Sequence, residues 1–305
     1  MKSFSAWQKF RQDKWGMAAL IVVLIYLFTA LGMETYSIWC QKNRIVPVYN
    51  ISTENRYAPP AANNIFGTDY QGRDVFARCA AGCASALKTG LIAGFIAVTI
   101  GMTLGMISGY CGGKTDEFTV WLFSTFSSMP TLLFILAFAL LMSQDFLSPG
   151  TAAVLNTIAG VLNTDPGMLG VYLAIGLTGW VTLCKVIRGE TMKLKRLPYI
   201  AAAKVAGVGT FTIIRRHILP NIFHLVIIYF TTLFASAVML EVIVSYLGLG
   251  AQTAPSWGLM ISDGQSRLWA GIWWEITAAS SVLLVLVLAL NILGDSLRDA
   301  LDPRR

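Results

Sequence analysis

Residues 188–221 read RGETMKLKRLPYIAAAKVAGVGTFTIIRRHILPN, a polar, basic island between two apolar stretches. The island carries seven Lys/Arg (Arg188, Lys193, Lys195, Arg196, Lys204, Arg215, Arg216) against a single acid, Glu190. Short loops with such an excess of Lys and Arg are retained on the cytoplasmic side of a membrane. Within the island, residues 198–206 are expected to form a short helix. Pro198 suits its first turn, where the missing N–H has no partner to lose. Ala201, Ala202 and Ala203 are strong helix formers. Gly207 and Gly209 then permit a sharp change of direction. A second helical stretch follows and closes at Leu219-Pro220-Asn221. Composition alone also fits an ordinary basic loop between two membrane helices.

The flanks set the class. The chain has 305 residues, of which 55% are hydrophobic and 13% charged, with a mean hydropathy of +0.63. Soluble domains carry about 25% charged residues, so this composition predicts an all-α polytopic membrane protein. A net charge of +7 would suggest nucleic acid in a soluble protein. Here the excess sits in the N-terminal tail and the island, so membrane orientation accounts for it and no nucleic-acid partner is expected. The tail has Lys2, Lys9, Arg11 and Lys14 against Asp13, which places the N-terminus in the cytoplasm.

Six transmembrane helices follow. Residues 16–33 form an uncharged run of spanning length, read as retained because no small-residue cleavage site follows closely. Residues 34–88 are polar and external by alternation, despite six Lys/Arg, since long loops translocate largely regardless of charge. The second span, 89–113, contains Gly101, Gly105 and Gly109, a spacing that lets helix backbones approach in lipid. The third, 118–144, is expected to kink at Pro130. Residues 145–165 read as an outer loop or a re-entrant piece. The fourth span covers 166–184, with Trp180 as an interfacial anchor. The fifth covers 218–240 and its apolar run continues past Glu241. The sixth covers 276–293, after an aromatic belt of Trp269, Trp273 and Trp274. The C-terminus thus returns to the cytoplasm with Arg298, Arg304 and Arg305. Two parts result: residues 1–88, holding the tail, first span and extracytoplasmic loop, and residues 89–305, a five-helix core with the cytoplasmic loop at 188–221.

Chemistry is sparse. There is no G-x-x-x-x-G-K-[ST], G-x-S-x-G or H-E-x-x-H pattern and no Cys/His cluster at metal-ligand spacing, so no catalytic or metal-binding residue is assigned and the chain is read as not an enzyme. His217 and His224 lack a third ligand and make a poor zinc site. The five cysteines show no zinc spacing, and a disulfide from Cys40 to Cys79 or Cys83 is conceivable only if the fold brings them together. Glu241 and Pro130 are candidates for a translocation path. A carboxylate in a span faces protein or water rather than lipid, and a structural acid near the outer interface is the favoured reading of Glu241.

The order Ala201-Ala202-Ala203, Gly207, Leu219-Pro220 resembles the EAA loop of binding-protein-dependent ABC transporter permeases. Ala201 stands where that motif usually has Glu. His217 stands where many permeases have Ile, although the peptide and nickel branch often has His. Three further segments resemble the second permease subunit of that branch: GTDYQGRDVF at 67–76, SYLGLG and PSWG at 245–258, and NILGDSLRDALDP at 291–303. In the first of these, Asp69 or Asp74 is expected to cap the following helix.

The resemblance implies a type I ABC importer permease fold in the bacterial inner membrane. It assigns Tyr199, Ala201, Ala202, Ala203, Gly207, His217, Leu219 and Pro220 to coupling with an ATPase. It also implies a homologous permease as heterodimer partner, two cytoplasmic P-loop ATPases that hold ATP and Mg, and an extracytoplasmic binding protein, so the chain needs no cofactor of its own. Di- and oligopeptides are the commonest substrates of the branch. Nickel chelates and antimicrobial peptides are the alternatives. An ATP-independent secondary transporter would need intramembrane charges and inverted repeats; the sequence shows few such charges and no evident repeat.

Overall fold

The computed structural model describes residues 6–62, 64–142, 147–250 and 254–301. Lys2, Gln144, Asp145, Asp302, Pro303, Arg304 and Arg305, which entered the readings above, lie outside them. Among the described residues there are twelve α-helices: α1 (Ala6–Gln12), α2 (Lys14–Asn43), α3 (Val75–Cys111), α4 (Gly113–Ser128), α5 (Thr131–Leu141), α6 (Pro149–Val161), α7 (Pro166–Leu194), α8 (Pro198–Val205), α9 (Thr210–Ile213), α10 (Leu219–Tyr246), α11 (Trp257–Gln265) and α12 (Trp274–Leu301). A π-helical turn, Ile214–Ile218, joins α9 to α10. Among the described residues the extended structure amounts to two isolated bridges, Ala61 with Asn64 and Thr68 with Asp74. Among the described residues five helices are long and apolar enough to cross a membrane: α2, α3, α7, the continuous rod Thr210–Tyr246, and α12. The pair α4–α5 makes a sixth if its bent halves count as one span.

The centre of the bundle is the pair α3–α7. A Cβ on Gly101, Gly105 or Gly109 would lie 2.7, 2.9 and 2.7 Å from the carbonyl oxygens of Trp180, Cys184 and Arg188. Both series advance by four residues in the same direction, so the two helices run parallel with their backbones in contact. Hydrophobic burial drives little association between helices in lipid, and close van der Waals contact takes its place. On another face of α3, Cβ atoms at Gly90 and Gly94 would meet the rings of Phe234 and Phe230. That pairing descends as α3 ascends, which makes α10 antiparallel to α3.

Several boundaries differ from the sequence expectation. Helix α3 begins at Val75 and α7 continues to Leu194, so both project beyond the apolar runs that announced them. Residues 149–161 of the expected loop form α6, with Ser148 capping Thr151 N and Pro149 in the first turn. The third span is broken rather than kinked: α4 and α5 meet at 91°. Pro130 has no N–H to continue the ladder, and the residue before a proline is driven out of the helical region. Met129 accordingly sits at φ −89°, ψ 136°. Trp180 is buried against Phe126, rather than anchored at an interface. Of the expected aromatic belt, Trp269 and Trp273 are exposed, whereas Trp274 turns inward and donates to the Thr68 carbonyl at 3.0 Å. All five cysteines are free, so no bridge joins Cys40 to Cys79 or Cys83.

The segment before α3 is closed by charge. The Asp69 carboxylate is fully buried. It accepts from the N–H groups of Gln71 and Arg73 at 2.8 and 2.9 Å, from Arg73 Nε at 2.6 Å and from Arg78 Nη1 at 2.7 Å. Asp74, not Asp69, caps the helix, accepting from Phe76 N at 2.8 Å. Gly67 and Gly72 adopt φ of +71° and +75°, which a side chain would strain.

Two outcomes follow. Gly101→Ala places a methyl against a carbonyl that cannot yield and is expected to destabilise the isolated chain by ~1–3 kcal/mol. Gly32→Ala, with nothing within 4 Å, should leave the thermal midpoint in detergent unchanged or raise it. Asp69→Asn strips the counter-charge from the buried Arg78 and the partly buried Arg73, at a cost of about 3–5 kcal/mol. Limited proteolysis should then cut between residues 44 and 74, where the wild-type chain resists.

Candidate functional site

The basic island folds into a short helix with two unlike faces. Helix α8 starts with Pro198 in its first turn and ends at Val205, one residue before the expected end. Gly207 follows at φ +75° and reverses the chain. Gly209 sits at φ −63°, which any residue adopts. One face of α8 is rooted in the bundle through Ile200, which is fully buried among Met106 and Tyr110 of α3, Leu183 and Ile187 of α7, and Ile213, Ile218 and Ile222 of the fifth span. Lys195 and Lys204 place their ammonium groups 5.7 and 5.0 Å from the centre of the Tyr110 ring. Cations are drawn to the face of an aromatic ring, so these contacts pin the chain just before α8 and the last turn of α8 itself.

The other face is exposed. Tyr199, Ala201 and Ala202 are exposed, Val205 is 91% exposed and Phe211, just beyond the turn, is 75% exposed. Ala203 is half-buried. Arg215 and Arg216 are exposed beside this surface and, with Phe211, Thr212 and Pro220, line an open cavity of ≈ 420 Å³. The surface is therefore apolar at its centre and basic at its edge. It suits a groove with an acidic margin.

The return into the membrane is continuous. Pro220 cannot donate to the Arg216 carbonyl as an α-helix requires. The π turn absorbs the defect: Leu219 N–H reaches back to the Ile214 carbonyl, and Asn221 Nδ2 donates to the His217 carbonyl at 2.6 Å. Asn221 Nδ2 also lies 3.5 Å from the Tyr199 hydroxyl, and the Tyr199 and His217 rings are 6.2 Å apart. Tyr199, Ala201, Ala202, Ala203, Gly207, His217, Leu219 and Pro220 are thus gathered at one end of the bundle. Above them, Arg188 forms a two-point ion pair with Asp116 of α4 at 2.5 and 2.6 Å.

Glu241 and Pro130 do not join this group. Glu241 lies 22 residues beyond Leu219 on α10, about 33 Å along a helix at 1.5 Å per residue. It is buried and accepts from Ser245 Oγ at 2.7 Å and Ser256 Oγ at 2.8 Å. It thereby fastens the start of α11 to α10, because Ser256 also caps Gly258 N. Pro130 is exposed at the α4–α5 break. Ile200, Tyr110 and Met106 were not singled out from the sequence. The available signal was Ile200 itself, a large aliphatic residue facing inward beside three alanines.

Residues 101–305 match the family model described as binding-protein-dependent transport system inner membrane component. The dipeptide transport system permease protein DppC of Bacillus subtilis (strain 168) is 32% identical over 304 residues, covering 98% of this chain and 85% of that protein. The oligopeptide transport system permease protein OppC of Escherichia coli (strain K12) is 36% identical over 244 residues, covering 80% of this chain and 73% of that protein. Among solved structures, a chain of the MetNI methionine ABC transporter in an inward-facing conformation aligns with TM-score 0.49 and 15% identity, covering 72% of this chain and 94% of that one. With the family model spanning the seam, the island and the final helix, and relatives matching nearly the whole length, this chain belongs to the inner membrane components of binding-protein-dependent transport systems.

Proposed function

We propose that this chain forms one half of a peptide-import pore and that α8 is the lever by which cytoplasmic ATPases move it. The two-faced character of α8 carries this reading: an exposed apolar face for docking, opposite a side chain sunk in the core of three spans. Peptide as substrate is supported by the relatives, which are named for dipeptide, oligopeptide and glutathione transport. The other half of the pore is a homologous permease. Two P-loop ATPases hold ATP and Mg below, and an extracytoplasmic binding protein delivers substrate from above. Both termini lie in the cytoplasm, as the Lys/Arg excess of the tail and the island favours.

Transport then proceeds by alternating access. Closure of the ATPase pair displaces α8 as a rigid body. Ile200 transmits the displacement to the adjoining ends of α3, α7 and α10 together, because tightly packed cores switch between discrete arrangements rather than deform. The opposite opening of the pore follows, and hydrolysis returns the first state. ATP biases the equilibrium only through its differential affinity for the two arrangements.

A gentle detergent pull-down tests the assembly and two substitutions test the lever. The wild-type chain should recover a homologous permease and P-loop ATPases. Ala202→Asp sets a charge on the docking face and should lose the ATPases while keeping the second permease. Ile200→Ala loosens the seat of α8, a core truncation of ~2–5 kcal/mol. It should keep the ATPases bound but hydrolyse ATP with little peptide uptake. Wild-type uptake by both variants, with ATPases attached, would refute the assignment.

A further inference from the structure

The break at Pro130 opens two adjoining cavities within the bundle. One, of ≈ 200 Å³, lies between α3, α5, α7 and α10; the other, of ≈ 220 Å³, lies between α4, α5 and α7. Thr131, Thr178 and Thr182 line both, Ser236 lines the first and Ser127 the second. Taken together they reach the ~300–1,000 Å³ of small-ligand sites. We propose that this hydroxyl-lined crevice is the stretch of the translocation path that binds the main chain of the passing peptide. The proposal rests on the peptide-import reading above.

The first support is the state of the hydroxyls. A serine or threonine in a membrane helix ordinarily bonds back to its own helix. Thr99, Thr103 and Thr125 do so, donating to the carbonyls four residues earlier at 2.7, 2.6 and 2.9 Å. Thr178 also donates to its own helix, to Ala174 at 3.1 Å and Ile175 at 3.0 Å. Thr131, Thr182 and Ser236 are exposed and make no such bond among the described residues. Leaving a hydroxyl without a partner in hydrocarbon costs free energy, so these groups face a polar occupant rather than lipid.

The second support is chemical fit. Each peptide unit offers one donor and one acceptor, and a hydroxyl is both. A wall of hydroxyls therefore bonds any peptide sequence with similar strength. It also holds the peptide through several weak contacts instead of one strong one, which lets the substrate leave. Fixed charges would select particular side chains and retain them. One cation borders the crevice: Lys185, whose ammonium bonds Ser127 Oγ at 2.8 Å and lies 5.1 Å from the centre of the Phe123 ring. The wall on α3 is made of small residues, Ala93, Gly94 and Ala97, and α7 adds Gly179 beside the larger Ile175.

The test uses the complete complex with its second permease and ATPases in proteoliposomes. Cys111, the exposed cysteine, is first changed to serine; the other four are buried. Thr182→Cys and Ser236→Cys are then introduced separately and treated with a charged methanethiosulfonate reagent. Treatment is done with and without ATP–vanadate and with and without a mixture of di-, tri- and penta-alanine. The expected result is modification in one nucleotide state, slowed by the alanine peptides. Equal modification with and without peptide overturns the proposal. So does complete protection in both states, which would mean that the second permease covers the crevice. As a second measurement, Thr131→Val combined with Thr182→Val should lower alanine-peptide uptake about tenfold, the effect of two lost hydrogen bonds, with the ATPases still attached. Unchanged uptake overturns the proposal. If the unmodified complex takes up none of the alanine peptides, the import reading fails and takes this proposal with it. Uptake without protection removes the crevice alone.

Discussion

Along α3, the space of a single methyl group separates this packing from one that cannot form. At Gly101, Gly105 and Gly109 the backbone of α7 stands where a Cβ would be. Two parallel helices in lipid gain little from hiding apolar groups from each other, so such contact has to supply the cohesion. Because α3 also receives Phe230 and Phe234 of α10 at Gly94 and Gly90, it is the common reference for both neighbours. The ends of those helices are then fixed relative to one another. The seam terminates at Arg188, where the ion pair to Asp116 continues the fixation into α4.

That rigidity bears on the lever proposed for α8. A short helix of eight residues has little stability in isolation. Here it is held by one buried isoleucine, two lysines on a shared tyrosine ring and a polar contact through Asn221. Those holds belong to different spans. A push on the exposed face is therefore shared between α3, α7 and α10 and cannot be absorbed by bending one of them.

Much of this was legible before any coordinates. The apolar runs located the spans, the Gly-x-x-x-Gly repeat located the seam, and the proline, the three alanines and Gly207 located α8 to within one residue. Other features were hidden for physical reasons. Lys185, Arg188 and Glu190 signal an exit from the membrane, but a helix does not end where its lipid ends, and α7 runs on to Leu194. Val75 opens α3 well before the apolar run for the same reason. A proline reports where a helix is disturbed and not by what angle. Asp69 sits among turn residues that read as caps, and its burial arises from Arg78, a partner nine residues away that only the folded loop delivers. Three neighbouring tryptophans look alike in sequence, yet Trp274 is claimed by the Thr68 carbonyl from a segment over two hundred residues distant.

Pro130 and Pro220 show how local surroundings decide opposite outcomes from the same defect. Each removes one backbone donor and crowds the preceding turn. Before Pro220 the chain widens into a π turn, Leu219 bonds five residues back, and Asn221 supplies a side-chain donor, so a single rod runs from Thr210 to Tyr246. Before Pro130 no side chain caps the new helix, Met129 adopts an extended conformation, and the axis turns by 91°. The repaired proline lies between α8 and the bundle, where the proposed lever requires a stiff joint. The unrepaired one lies where the bundle opens into the hydroxyl-lined crevice, and a straight helix there would fill the space. A stiff joint beside α8 and a gap at the crevice thus arise from one residue type, distinguished by whether a neighbouring amide restores the lost hydrogen bonding.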